Sequence, residues 1–161
     1  MYPSWIISDG DSGAARAALD WAISHNVPHA GWCPKGRLAE DGVIPGRYRL
    51  KKARTAEYAE RAEMNILDAD GVVIFTLSHR LEVDPALTAL LAKKHHKPFL
   101  RVHDLTFHAG RRLARFVSEH QVEALNVAGS RASQEPSIGA FVTATLDEML
   151  WALMAAGKAR P

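Results

Sequence analysis

Gly71-Val72-Val73-Ile74-Phe75 is an unbroken apolar run between the charged Asp70 and the polar Thr76. Successive side chains of a strand point to opposite faces, so a run that is apolar throughout must be covered on both. That burial is typical of a parallel sheet held between two helical layers. The rest of the chain agrees. Short strand candidates at Trp5-Ile6-Ile7, His29 to Cys33, Phe99-Leu100-Arg101-Val102 and Ala124-Leu125-Asn126-Val127 alternate with helical patterns. The first helix runs from about Ala14 to His25, with Ala15, Ala18, Leu19, Ala22 and Ile23 on one face. Others are predicted over about Ala56 to Asp68, from a first turn holding Pro85 to near His96, over Ala109 to His120, and over Glu135 to Ala155. The last carries the apolar stripe Ile138, Val142, Leu146, Met149, Leu150 and Leu153. Strands alternating with helices predict an α/β, three-layer domain with a mostly parallel sheet of about five strands.

Composition limits what such a domain can do. The 161 residues are 47% hydrophobic, enough for one core, so a single domain over residues 1–161 is expected. The 20 basic and 18 acidic residues are interspersed and leave a formal charge of +2, with no basic arm or stripe for nucleic acid. Apolar runs fall far short of the roughly twenty residues of a membrane span, so no membrane is expected. Met1-Tyr2-Pro3-Ser4 lacks the basic flank of a secretory signal, and the lone Cys33 has no intrachain partner. A reducing, cytoplasmic setting is the expectation.

In a parallel sheet covered on both faces, ligands bind beyond the carboxyl ends of the strands, where strand order reverses. The loops after Ile7, Cys33, Phe75, Val102 and Val127 would meet there. The first, Gly10-x-x-Gly13, opens a helix, where free N–H groups suit an anion and Ser12 can cap or donate. The same residues also fit an ordinary strand-to-helix turn, and Asp9 and Asp11 would repel a phosphate. The second, Gly31-Trp32-Cys33-Pro34-Lys35-Gly36-Arg37, sets Lys35 and Arg37 on a glycine-flexed loop beside a stacking indole, Trp32. Cys33 is either a soft ligand or a small buried hydrophobe. From Pro34 to Thr55 the chain reads as one long connection rich in Gly, Pro and charge, a length that tends to be functional. Gly129-Ser130-Arg131 ends the fifth strand, and Arg131 is placed to reach the same crevice.

Metal and hydrolase signatures are sparse. His95-His96 diverge by about 100° on a helix, and Asp104 with His108 makes two ligands at most. No nucleophile elbow, Walker loop or His-Glu-x-x-His motif occurs.

Longer motifs carry a resemblance. Ser8-x-Gly10-x-x-Gly13-x-x-Arg16-Ala17-Ala18-Leu19-Asp20 resembles the first motif of the molybdenum carrier family. Pro28-His29-x-Gly31-Trp32-Cys33-Pro34-Lys35-Gly36-Arg37-x-x-Glu40-Asp41-Gly42-x-Ile44-Pro45 is similar to its second. Asn65, Asp68 and Asp70-Gly71 before the third strand, and Leu125-Asn126-Val127-Ala128-Gly129-x-Arg131 with Pro136-x-Ile138, match the remainder. The resemblance spans nearly the whole chain. It implies a Rossmann-like domain akin to lysine-decarboxylase-like nucleotide binders. It also implies binding of molybdenum cofactor, or a similar phosphate-bearing heterocycle or nucleotide, without catalysis, in a homo-oligomer. The ligand-binding residues it implies are Gly10, Ser12, Gly13, Arg16, Trp32, Cys33, Lys35, Gly36, Arg37, Gly129, Ser130 and Arg131.

Two loops depart from the family pattern. Where the family reads Gly-Gly-Gln-Thr-Gly and then an aspartate, this chain has Asp9, Asp11, Ser12 and Ala15 at the changed positions. The family's Gly-Gly-Thr aligns with Val83-Asp84-Pro85, and the glutamate of related phosphoribohydrolases aligns with Thr88. Three readings follow: an anion site relocated to Lys35, Arg37 and Arg131; a Mg²⁺ site of Asp9, Asp11, Glu82 and Asp84 bridging to phosphate; or a pocket that has decayed into an interaction module. The enzyme alternative is a nucleotide N-glycosidase.

Overall fold

A strand apolar on both faces needs helices on both sides, and the computed structural model supplies them. It describes residues 2–104 and 106–158; Met1, part of the leader expectation, lies outside them. In chain order the elements are β1 (Trp5–Ile7), α1 (Ala14–Ser24), β2 (His29–Ala30), β3 (Trp32–Cys33), a 3-10 turn (Lys35–Arg37), β4 (Leu38–Ala39) and β5 (Gly42–Val43). After β6 (Lys51–Lys52) come α2 (Tyr58–Asp68), β7 (Gly71–Phe75), α3 (Val83–Lys94), β8 (Phe99–Val102), α4 (Ala109–Glu119), β9 (Ala124–Gly129) and α5 (Ile138–Lys158).

The main sheet has five parallel strands in the order β2-β1-β9-β7-β8. β7 is buried from end to end. Val73 and Phe75 face α1, α4 and α5, in a core with Leu113, Val127, Val142 and Leu146. Val72 and Ile74 face α2 and α3, against Ile66 and Ala92. Burying one such side chain stabilises the fold by about 1.5–3 kcal/mol. α5 has the length and composition of a membrane span over Ile138–Gly157, with mean hydropathy 1.3. Its stripe Ile138, Val142, Leu146, Met149 and Leu153 nevertheless packs into the core against α1 and α4.

β9 is the last strand of the chain and yet sits at the centre of the sheet. In a doubly wound sheet the first strand holds that position and later strands wind outward to both edges. Moving β9 to the front of the chain would restore that winding, so the topology is Rossmann-like with its first strand displaced to the end. The connections leaving β1 and β7 run to opposite edges, to β2 and β8. Strand order therefore reverses over β9.

The stretch from His29 to Cys33 is two strands rather than one. Gly31 sits at φ +147°, and a Cβ there would stand 1.8 Å from the Ser8 carbonyl oxygen. The backbone bends at this contact, and β3 leaves the sheet to pair with β6. The supposed structureless connection from Pro34 onward is also ordered: it holds the 3-10 turn, the antiparallel β4–β5 pair and β6. Its Ala39, Ile44 and Tyr48 pack with Leu19 and Cys33 in a small second core over α1.

Candidate functional site

The crevice lies where the topology predicts, beyond the ends of β1 and β9. Asp9, Asp11 and Ser12 of the first loop form one wall; Tyr58, Ala62 and Asn65 of α2 form another. Asp84 and Thr88 of α3 face Arg131 and Gln134 across the mouth. The floor is β9, whose Asn126 and Ala128 point away from the Leu125 and Val127 core. The crevice spans about 470 Å³ with its open mouth, but the centre of a water molecule can occupy only about 20 Å³ of it. That is room for about one water.

Two arginines organise its charge. Arg61, only 3% exposed, donates from Nε to Asp9 at 2.9 Å and places Nη2 3.4 Å from Asp11. Arg131 sets Nε 3.2 Å from Asp11 and Nη2 2.9 Å from Asp84. Three carboxylates thus share two guanidiniums, leaving one formal negative charge in excess. Asp11 also accepts from the backbone N–H groups of Ser12 at 2.8 Å and Glu40 at 3.2 Å. It thereby occupies donors that an open glycine turn would offer to a phosphate. On the α2 side, burial raises the Tyr58 phenol pKa, and the nearby Asp9 adds to the rise. Its hydroxyl lies 2.6 Å from Thr88, which itself donates to the Asp84 carbonyl at 3.1 Å.

The structure does not bring Lys35 and Arg37 to this crevice. Arg37 folds back on its own segment and donates to the carbonyls of Ile44 at 3.1 Å, Leu50 at 3.4 Å, Pro45 at 2.8 Å and Tyr48 at 2.9 Å. Lys35 and Gly36 lie exposed on the 3-10 turn, outside the crevice wall. Of the proposed cationic clamp, Arg131 alone lines the crevice. Trp32 stands outside as well: its indole donates to Asp68 at 2.9 Å, and its backbone N–H donates to Asn65 at 2.8 Å. Cys33 is fully buried in the second core, where burial pushes its thiol pKa up.

The glycines of the first loop serve packing. A Cβ on Gly13, at φ +84°, would stand 2.4 Å from the Ser130 carbonyl oxygen. Gly10 is covered by Leu50 and Ile44. Arg16 binds the Gly10 carbonyl at 2.8 Å and both oxygens of Asp41 at 3.1 Å, pinning the β4–β5 turn over α1. Ser12 does reach the crevice, but its hydroxyl is engaged by Glu40 and accepts from Ala132 N–H at 3.1 Å. Gly129 lines the floor as the last residue of β9. Ser130 is buried, and its hydroxyl has no hydrogen-bond partner among the described residues. Burial alone would raise the Glu135 pKa, but the N–H groups of Leu77 and Ser78, which donate to its carboxylate, hold it below the usual value.

The four carboxylates proposed for Mg²⁺ are not assembled. Asp9, Asp11 and Asp84 are claimed by arginines, and Glu82 is exposed away from the crevice. Among the described residues no three His, Cys, Asp or Glu side chains are grouped to hold a metal.

Sequence reasoning missed Arg61, Tyr58 and Thr88 as crevice residues, and noted Asn126 only as a motif position. Arg61 and Asn65 were detectable as polar residues four apart on the inner face of α2. Asn126 was detectable as an amide inside an apolar strand.

The chain matches the circularly permutated YpsA SLOG family over residues 6–150. No curated protein matches it. Its structure is similar to the crystal structure of a protein named putative molybdenum carrier protein from Syntrophus aciditrophicus SB, with 38% identity and a TM-score of 0.87. The likeness covers 92% of this chain and 95% of that one. The displaced central strand, the crevice over it and the extent of both matches agree: the chain belongs to the circularly permutated YpsA SLOG family.

Proposed function

We propose that this protein is a molybdenum carrier that holds a small anionic heterocycle, molybdenum cofactor foremost, in the crevice over β9 without transforming it. The observation that carries this reading is Arg131. It stands at the strand-order reversal, its side chain is 35% exposed, and its guanidinium is paired with the carboxylates of Asp11 and Asp84. A phosphate or molybdate oxygen can replace the Asp84 carboxylate in that pair, anion for anion, as Arg131 turns outward. The same movement widens a mouth that otherwise holds about one water. The similar structure bearing the molybdenum carrier name supports the choice of ligand. Each carboxylate in the crevice wall already has an arginine partner, which disfavours a general base and so the N-glycosidase alternative.

Thermal unfolding with molybdate, pterin phosphates and nucleoside monophosphates, each with and without Mg²⁺, tests the proposal. A true ligand raises Tm in proportion to the logarithm of its concentration above Kd. The expected result is a rise that survives Lys35→Ala, is lost in Arg131→Gln and does not need Mg²⁺. Absence of any rise, or a rise indifferent to Arg131→Gln, overturns it. Release of free base from a nucleoside monophosphate would establish the glycosidase instead.

A further inference from the structure

Asn126 sits mid-strand on β9, in register with Ile7 of β1 and Val72 of β7. It is 3% exposed, and the surface it keeps opens on the crevice floor. Among the described residues its side-chain amide has no hydrogen-bond partner, although an amide offers two donors and an acceptor. The neighbouring polar groups are committed. Asn65 spends its oxygen and its amide on the Trp32 backbone, at 2.8 and 3.1 Å. Thr88 donates to the Asp84 carbonyl, so the Tyr58 proton goes to Thr88 and only an oxygen lone pair is left on Tyr58. The amide is not sealed off, as the buried Arg101 Nε and Ser130 Oγ are; it keeps its polar atoms open to whatever fills the crevice. The small side chains Ala15, Ala62 and Ala128 line the same crevice.

We infer that the Asn126 amide reads the edge of a planar heterocycle admitted to the crevice when Arg131 turns outward, one that presents an N–H beside a C=O, as pterin and guanine lactams do. The amide N–H donates to the ring carbonyl, and the amide oxygen accepts from the ring N–H. Asn126 is then the specificity residue and Arg131 the anion holder, at opposite ends of one ligand. The inference rests on the crevice being the ligand site.

The test uses guanosine 5′-monophosphate, its N1-methyl derivative, 6-hydroxymethylpterin phosphate and molybdate, titrated against wild type, Asn126→Leu and Asn126→Ala. Wild type should bind the lactam rings and lose at least tenfold in affinity when N1 is methylated. Both Asn126 variants should lose tenfold or more for the rings and stay within twofold for molybdate. Asn126→Ala serves if Asn126→Leu does not fold. Rings that bind wild type and both variants equally overturn this inference and leave the carrier function standing. Molybdate binding without any ring binding does the same. No binding of any probe to wild type overturns both.

Discussion

The segment 34–55 and the crevice over β9 each present an arginine beside a glycine turn, and they spend it on different acceptors. Arg37 is surrounded by four neutral carbonyls of its own segment. No ligand can claim it without unwinding the β4–β5 turn. Arg131 is shared between two carboxylates from other elements, at a partly open rim. It can exchange one anion for another and keep its charge paired throughout. Availability for a ligand is therefore set by what the guanidinium already touches rather than by its place in a motif. Arg61 is the far end of the same series: it too binds carboxylates, but it is buried, so it is structural.

Three substitutions sort these arginines by free energy. Arg61→Met leaves Asp9 and Asp11 without their buried cation and is expected to cost about 3–5 kcal/mol in denaturant unfolding. A loss below about 1 kcal/mol would mean the carboxylates find relief elsewhere and would erase the distinction drawn for Arg61. Arg37→Met strips four carbonyls of their donor and should cost about 1–3 kcal/mol, with ligand-induced stabilisation unchanged. Arg131→Gln should behave in reverse: its pairs are partly solvated, so stability falls by less than about 1 kcal/mol while the anion response disappears. Finding the larger stability loss at Arg131 than at Arg37 would invert the comparison.

Legibility follows the same division. The five-stranded parallel sheet, its flanking helices and the position of the crevice were readable, because period and apolar continuity record which faces are buried. The segment 34–55 was not. Its core residues Ile44 and Tyr48 are isolated among Gly, Pro and charge, so no periodicity marks them. Tyr48 is fixed by a distant partner, with its hydroxyl 2.5 Å from Asp20, 28 positions away. The acidic loop was readable as a departure from a phosphate cradle. Its neutralisation by Arg61 was not, because those ion pairs join residues 52 and 50 positions apart. The sequence lists charges, and only the fold decides which of them meet.

Glu40 joins the two regions, and its titration gives the finest test of how tightly they are coupled. It belongs to the β4–β5 turn of the segment 34–55, yet its carboxylate accepts from the Ser12 hydroxyl and from Ser133, at 3.1 Å from the backbone N–H and 2.6 Å from Oγ. Those hydrogen bonds, that of Ser12 first, hold its pKa below the ordinary 4.5. A lowered carboxyl pKa means that the folded state favours the ionised form. The stabilisation is complete above pH 4.5 and fades as pH falls through the folded value. Glu40→Gln removes the titration, so Tm of wild type should exceed that of the variant at neutral pH, and the two curves should converge below pH 4.5. The side chain is exposed, so the separation will be small. Curves that stay parallel down to pH 3 would show that the turn rests on the crevice loops without help from this carboxylate, and that the two regions respond to ligand independently.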